Sequence, residues 1–359
     1  MKLLKQLYEI HSPSGKELRL ANFIERYIAG TIPGAYLTRD KIGNLFICKG
    51  QSETYPCVVA HLDQVQRKHS KDFRAVETRD IIFGYSPSKR RYEGLGADDK
   101  NGIWISLKCL AKFEDIKVAF FVGEEVGCVG SNAADLSFFS DCRFVIQPDR
   151  RGSSDLITQI SWEDLCSEEF LAEIDAPLFG YKPTDGLMTD IEILRGNGLE
   201  LSCVNVSCGY YDPHTDNEFT VKEDLLNSLA FVEHIIKNCT KTYSHESKPY
   251  FNDFYNDPYE MYDYCVEMID EIIAAHPDYT IEDAWEVFEV NFPGLPMEDF
   301  EALYEDAKYS YDLDRPIVAQ PKRRSKGKSK KRKALPSTRT YTFFHGSRWD
   351  EDDPMKKSA

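Results

Sequence analysis

A series of continuous apolar runs constrains the fold of this 359-residue chain more than any other feature. The runs cover residues 57–60, 118–122, 144–146 and 201–206, and segments with helical spacing occupy 101–113 and 221–237. Strands that are apolar at every position are typical of parallel sheets covered by helices on both faces. The sequence therefore predicts an α/β protein with three α/β/α layers around a mostly parallel sheet.

The region before these runs has its own pattern. Apolar residues at helical spacing predict two short helices within residues 1–30, and Ser12-Pro13-Ser14-Gly15 separates them. Residues 36–49 read as a hairpin with its turn near Ile42-Gly43.

Short polar segments stand at or near the ends of these elements, and they carry the residue types of a metal site. The segments are His61-Leu62-Asp63, Gly96-Ala97-Asp98-Asp99-Lys100, Gly123-Glu124-Glu125-Val126-Gly127, Pro148-Asp149-Arg150 and Asp212-Pro213-His214-Thr215. Ligands of open α/β sheets gather at the carboxyl ends of the strands, so we expect these side chains to meet there. Carboxylates mixed with histidines suit zinc or another first-row divalent ion. The adjacent pair Glu124 and Glu125 allows one carboxylate to bind metal while the other moves protons.

Each segment alone has an ordinary structural explanation. His61 and Asp63 could be a surface pair, the Asp98 segment a turn that caps a helix, and His214 a loop histidine. Their joint occurrence, in this order and at strand ends, indicates a metal site.

These segments resemble the di-zinc exopeptidase superfamily, which includes aminopeptidases, peptidase T and a carboxypeptidase/deacylase branch. The resemblance covers roughly residues 1–240. It also includes Ser12-Pro13-Ser14-Gly15-Lys16-Glu17, Lys41-Ile42-Gly43-Asn44 and Thr189-Asp190.

The resemblance implies a role for each site residue. His61 and Asp149 would bind one metal ion, and His214 and Glu125 would bind the other. Asp98 would bridge the two ions, and the peptide bond after it, Asp98–Asp99, would be cis. Glu124 would be the general base. Asp63 would fix the tautomer of His61. The expected cofactors are two divalent ions, zinc or alternatively cobalt or manganese.

The spacing departs from part of this superfamily. Only 64 residues separate Asp149 from His214, too few for the inserted lid domain of the carboxypeptidase, deacylase and peptidase T relatives. This departure, together with Asp at position 149, favours an aminopeptidase that acts on peptides. Two alternatives stay open: a deacylase or amidase of small N-acyl compounds, and a non-catalytic interaction protein on a peptidase fold.

The C-terminal part differs in charge from the rest of the chain. The net charge is −16, but residues 250–314 hold nineteen Asp or Glu and one Lys, and residues 322–333 hold nine Lys or Arg and no acid. We predict a catalytic domain over 1–243, an acidic helical module over 244–314 and a disordered basic tail over 315–359. The basic run could bind nucleic acid or an acidic partner, although it lacks aromatic residues for base stacking.

Cysteine usage and hydropathy predict the cellular setting. The ten cysteines form no C-x-x-C pair, which favours free thiols in a reducing compartment. The N-terminus is too polar for a signal peptide, and no run of about 18 apolar residues predicts a membrane span. We therefore expect a cytoplasmic protein without a membrane partner.

Overall fold

The computed structural model describes most of the chain. The described residues are 1–160, 163–246, 266, 268–270, 272–273, 276, 279–288, 297, 300–301 and 303–304. The predicted basic tail over 315–359 and much of the predicted acidic module lie outside them. No helix within the described ranges is long and apolar enough to cross a membrane.

A nine-stranded sheet forms the centre of the fold. Its strands are β1 (Ala35–Arg39), β2 (Leu45–Lys49), β3 (Tyr55–His61), β7 (Ile116–Phe121), β8 (Cys142–Arg150), β9 (Asp155–Ile160), β10 (Glu163–Asp164), β11 (Lys182–Gly186) and β12 (Cys203–Ser207). They lie in the order β1-β2-β7-β3-β8-β12-β9-β10, and β11 pairs with β9. The central strands β7, β3, β8 and β12 are mutually parallel, which confirms the predicted α/β architecture.

Helices cover both faces of this sheet. They are α1 (Lys2–Tyr8), α2 (Leu18–Thr31), α3 (Ala97–Lys112), α4 (Val129–Asn132), α5 (Glu168–Glu173), α6 (Asp190–Gly196) and α7 (Lys222–Asn238). Both predicted N-terminal helices and the β1–β2 hairpin are confirmed.

The apolar runs are continuous because both sheet faces are buried. In β3, Val58 and Ala60 join the core that also contains residues of α1, α2, α3 and α7. Their neighbours Cys57 and Val59 point to the opposite face, into a second core that includes residues of α6.

A smaller antiparallel sheet was not predicted from the sequence. It comprises β4 (Arg74–Glu77), β5 (Ile81–Ser86), β6 (Arg91–Tyr92), β13 (Tyr210–Tyr211) and β14 (Phe219–Val221). Strands β13 and β14 flank the loop that carries His214, so the pairing of these strands in the smaller sheet holds that loop in place. By contrast, β9 to β12, which lie between Asp149 and His214 in sequence, belong to the main sheet.

The C-terminal part has a small core of its own. Helix α8 (Ile281–Phe288) agrees with the helical spacing predicted there. Its residues Ala284 and Phe288 pack with Ile269, Ile273 and Phe300.

Candidate metal centre and catalytic site

All seven predicted site residues meet at the carboxyl end of the central strands. His61 is the last residue of β3, and Asp149 lies near the end of β8. Glu124 and Glu125 follow β7 in a short 3₁₀ turn, Glu124–Val126. The sequence pattern predicted this meeting because these strands are adjacent and parallel.

His61, Asp98 and Asp149 form the first group of candidate metal-ligand atoms, which we call a donor group. His61 Nε2 lies 3.0 Å from Asp98 Oδ1 and 3.6 Å from Asp149 Oδ1. Candidate donor atoms of these three residues lie within 4.8 Å of one another, and all three residues are buried. One imidazole nitrogen and two carboxylate oxygens are ligands that zinc accepts.

Asp98, Glu125 and His214 form the second donor group, which shares Asp98 with the first. His214 Nε2 lies 3.1 Å from Glu125 Oε2 and 3.3 Å from Asp98 Oδ2. Glu125 Oε1 is buried without a hydrogen-bond partner among the described residues. Buried polar atoms are normally satisfied, so this oxygen fits a ligand of a cation. Because Asp98 directs one oxygen to each histidine, the two groups fit a pair of bridged ions.

The charges of the cluster also favour cations. Burial would lower the pKa of His61, but the charges of Asp149 and Glu124 raise it well above its ordinary value. The pKa of His214 rises in the same way, against burial, because of Glu125 and Asp98. Burial raises the pKa of Asp149 to about 8. So many carboxylates in one buried place need positive charge beside them.

Glu124 lies beside both donor groups but belongs to neither. Its Oε2 is 3.8 Å from His61 Nε2. Burial raises the pKa of Glu124 well above its ordinary value; His61 opposes that shift, and Asp149 and Glu125 add to it. A carboxylate in this position is free to exchange a proton with a molecule held between the two groups.

Asp63 supports the site in more ways than the sequence predicted. Its Oδ1 lies 3.3 Å from His61 Nδ1, the contact that the resemblance implies. Asp63 also accepts hydrogen bonds from Ser14 Oγ at 2.8 Å and from the backbone N–H groups of Glu124 and Glu125 at 3.0 and 3.2 Å. It therefore fixes the backbone that carries the glutamate pair.

Replacing Asp63 with asparagine should destabilise the protein by about 1–3 kcal/mol, because the amide would place a donor against one of these donors. Turnover should fall as well, since the Glu124 backbone loses its anchor. Urea unfolding and steady-state kinetics measure the two effects. Asp80→Asn, at an exposed carboxylate, is the matched control, and equal stability of the two variants would contradict this role for Asp63.

Several supporting residues were not predicted from the sequence. The buried carboxylate of Glu218 accepts from the backbone N–H groups of Gly96, Ala97 and Asp98, at 2.5, 2.8 and 3.1 Å. Gln147 Nε2 donates to Asp149 Oδ2 at 2.9 Å. These contacts set the positions of Asp98 and Asp149, and no sequence motif marks Glu218 or Gln147 as a supporting residue.

The backbone around the site adopts unusual conformations. The Asp98–Asp99 peptide bond is cis, as the resemblance implies. Asp212 and His214 have φ angles of 50° and 63°, in the left-handed region that residues other than glycine seldom adopt. Left-handed φ angles at residues other than glycine cost on the order of 1–3 kcal/mol each and cluster at functional sites.

A cleft of about 700 Å³ opens onto both donor groups, and we refer to it as the main cleft. Ile157, Leu187 and Met188 give it apolar lining, and Arg150 and Arg151 line it as well. Its volume is that of a small-molecule site.

The fold is similar to that of several peptidases of known structure. Aminopeptidase PepT of Bacillus cereus matches with a TM-score of 0.51 and 14% identity, over 67% of this chain and 98% of that one. An aminopeptidase of the archaeon Desulfurococcus kamchatkensis matches with a TM-score of 0.52 and 16% identity, over 66% of this chain and 93% of that one. A tripeptidase of Staphylococcus aureus matches with a TM-score of 0.50 and 14% identity, over 65% and 96%.

The sequence matches no protein-family model and no curated protein. At these identities the structural similarity shows the fold. The chain therefore has the α/β fold found in these two aminopeptidases and this tripeptidase.

Proposed function

We propose that this protein is a metal-dependent aminopeptidase that uses two divalent ions. The imidazole and carboxylate ligands favour zinc as the ion. The observation that carries the proposal is the shared carboxylate: Asp98 joins two donor groups, and Glu124 stands outside both. Two cations at close range need such a bridge, and a hydrolase needs a base that is not a ligand.

In this proposal His61, Asp98 and Asp149 hold one ion, and Asp98, Glu125 and His214 hold the other. When bound, the ions supply a water of lowered pKa and polarise the carbonyl of the scissile bond. Glu124 takes a proton from the attacking water and passes it to the nitrogen of the leaving amine. Asp63 keeps the imidazole of His61 oriented through Nδ1.

The substrate is a peptide with a free amino end. The main cleft has the volume for a few residues, and its apolar lining offers contacts to a side chain. The proteins of similar fold include two aminopeptidases, which agrees with this choice.

A deacylase or amidase of small N-acyl compounds is the second candidate. Arg150 and Arg151 line the cleft, and a guanidinium pairs well with the carboxylate of such a compound.

Paired peptides distinguish the two candidates. The zinc-loaded protein is incubated with one peptide in three forms: free at both ends, acetylated at the N-terminus and amidated at the C-terminus. Stepwise shortening of the free and amidated forms, with the acetylated form intact, is the expected result by mass spectrometry. Release of acetate from the acetylated form would favour the deacylase, and trimming from the C-terminus would contradict an aminopeptidase.

A further inference from the structure

Residues near the C-terminus contact three loops close to the candidate metal centre. We refer to the described residues between 266 and 288 as the C-terminal segment. Met188, from the loop before α6, packs against its apolar core. His276 of the segment contacts His214, and Tyr279 contacts Arg67 in the loop after β3. Because His214 belongs to one of the donor groups, these contacts place the segment directly beside the candidate metal centre.

The contacts with His214 and Arg67 form a continuous stack. The rings of His214 and His276 are nearly parallel, with centroids 6.0 Å apart and an angle of 8°. Tyr279 also stacks on His276, with ring centroids 4.2 Å apart and an angle of 7°. The guanidinium of Arg67 lies 5.6 Å from the Tyr279 ring centroid, and its Nη2 donates to the Tyr279 hydroxyl at 3.2 Å. Aromatic and cation–π pairs at such distances attract one another.

This stack lies beside a second, smaller cleft. The smaller cleft has a volume of about 300 Å³, and His276, Tyr279 and Val287 of the C-terminal segment line it opposite Pro13 and Val65. The segment also reaches the main cleft, through Asp270. Glu125 lines both clefts, so they meet at the candidate metal centre.

We propose that the C-terminal segment is a wall of the substrate site and that it restricts the enzyme to short peptides. The proposal rests on the proposed peptidase function and adds the substrate class. A peptide extends by about 3.3–3.6 Å per residue, so a long chain bound at the donor groups soon meets the ring stack or the loops that it joins. A peptide of a few residues ends before it reaches them.

Kinetics on a length series test the wall. The zinc-loaded, full-length protein is given peptides of two, three, five and ten residues that share the same first residue. We expect kcat/KM to fall about tenfold or more from the tripeptide to the decapeptide. We call the kcat/KM of the tripeptide divided by that of the decapeptide the length ratio. His276→Ala and Tyr279→Ala should reduce the length ratio to near one with zinc content unchanged. His234→Ala and Tyr92→Ala, at residues that line neither cleft, should leave it unchanged.

Arg67→Ala removes the partner that holds Tyr279 in the ring stack. Arg67 is an exposed loop residue, so its loss should leave the fold intact while it releases Tyr279. The length ratio should then fall as it does in Tyr279→Ala. The proposed length limit would be contradicted by an unchanged length ratio in all three variants. Equal kcat/KM for all peptide lengths in the wild type would contradict it as well.

Binding of uncleavable analogues separates this inference from the proposed function. A phosphinate in place of the first peptide bond binds zinc and resists hydrolysis, so dipeptide and decapeptide phosphinates with the same first residue report the length limit by calorimetry without turnover. Tighter binding of the short compound, lost in Tyr279→Ala, supports the length limit even if no peptide is cleaved, and in that case the peptidase proposal fails alone. Cleavage of all lengths at equal rate overturns the length limit alone. No binding of either phosphinate by the zinc-loaded wild type overturns both.

Discussion

Glu124→Gln is expected to lose about 10²–10⁴-fold in kcat while both metal ions stay bound. Glutamine has the size of glutamate but cannot take up the proton of the attacking water. The donor groups are unchanged, because Glu124 belongs to neither of them. Steady-state kinetics on a cleaved peptide give kcat, and elemental analysis of the dialysed protein gives the zinc content.

Two further variants make this result specific. Glu124→Asp keeps a carboxylate but withdraws it by one methylene, so its kcat should lie between those of the wild type and Glu124→Gln. Glu114→Gln changes an exposed glutamate just before the start of β7, at the opposite end from Glu124, and should have no effect. Full turnover by Glu124→Gln would remove Glu124 as the base, and loss of zinc would make it a ligand instead.

The sequence predicted the meeting of the site residues because the relevant pattern is local. Each motif directly follows or ends a strand, or begins a helix, that its own apolar residues define. In a parallel sheet the carboxyl ends of neighbouring strands share one edge. His61 pairs with Phe121 across β3 and β7, so the glutamates after Phe121 arrive beside His61 with no further information.

Two of the motif segments that carried the resemblance also have a physical explanation. Ser14 donates to Asp63, and Asn44 Oδ1 accepts from the backbone N–H of Val122 at 3.1 Å. Both contacts support the strand ends that carry the site. Their importance follows from these contacts, which the sequence alone does not display.

Glu218 was missed because its partners are distant in the chain. Glu218 contacts the backbone of Gly96 across 122 positions. A single acidic residue in a loop has no periodicity or spacing that would distinguish it from a solvated one. The joining of β14 to β5 was missed for the same reason, because the two strands are remote in sequence.

The C-terminal segment is the clearest case of this limit. Its helical spacing and acidic composition predicted a separate module. The stack of His276 on His214 depends on the placement of that module over the site, and no pattern in either sequence segment encodes it.

The second large effect concerns the two ions and follows from the shared position of Asp98. Its Oδ1 is 3.0 Å from His61 Nε2, and its Oδ2 is 3.3 Å from His214 Nε2. A ligand that belongs to one group should affect one ion, and the shared ligand should affect both.

His214→Ala should therefore retain about one zinc equivalent of the two, and Asp98→Ala should retain almost none, because removal of the bridge leaves the repulsion between the ions without compensation. Zinc content is measured by elemental analysis after dialysis against metal-free buffer, and turnover should be lost in both variants. His234→Ala, on α7 and outside both donor groups, is the matched control and should keep two equivalents. Two equivalents in His214→Ala would exclude this histidine as a ligand. Equal loss in the two variants would show instead that the ions bind only as a pair, because a single ion held by His61, Asp98 and Asp149 would then be unstable.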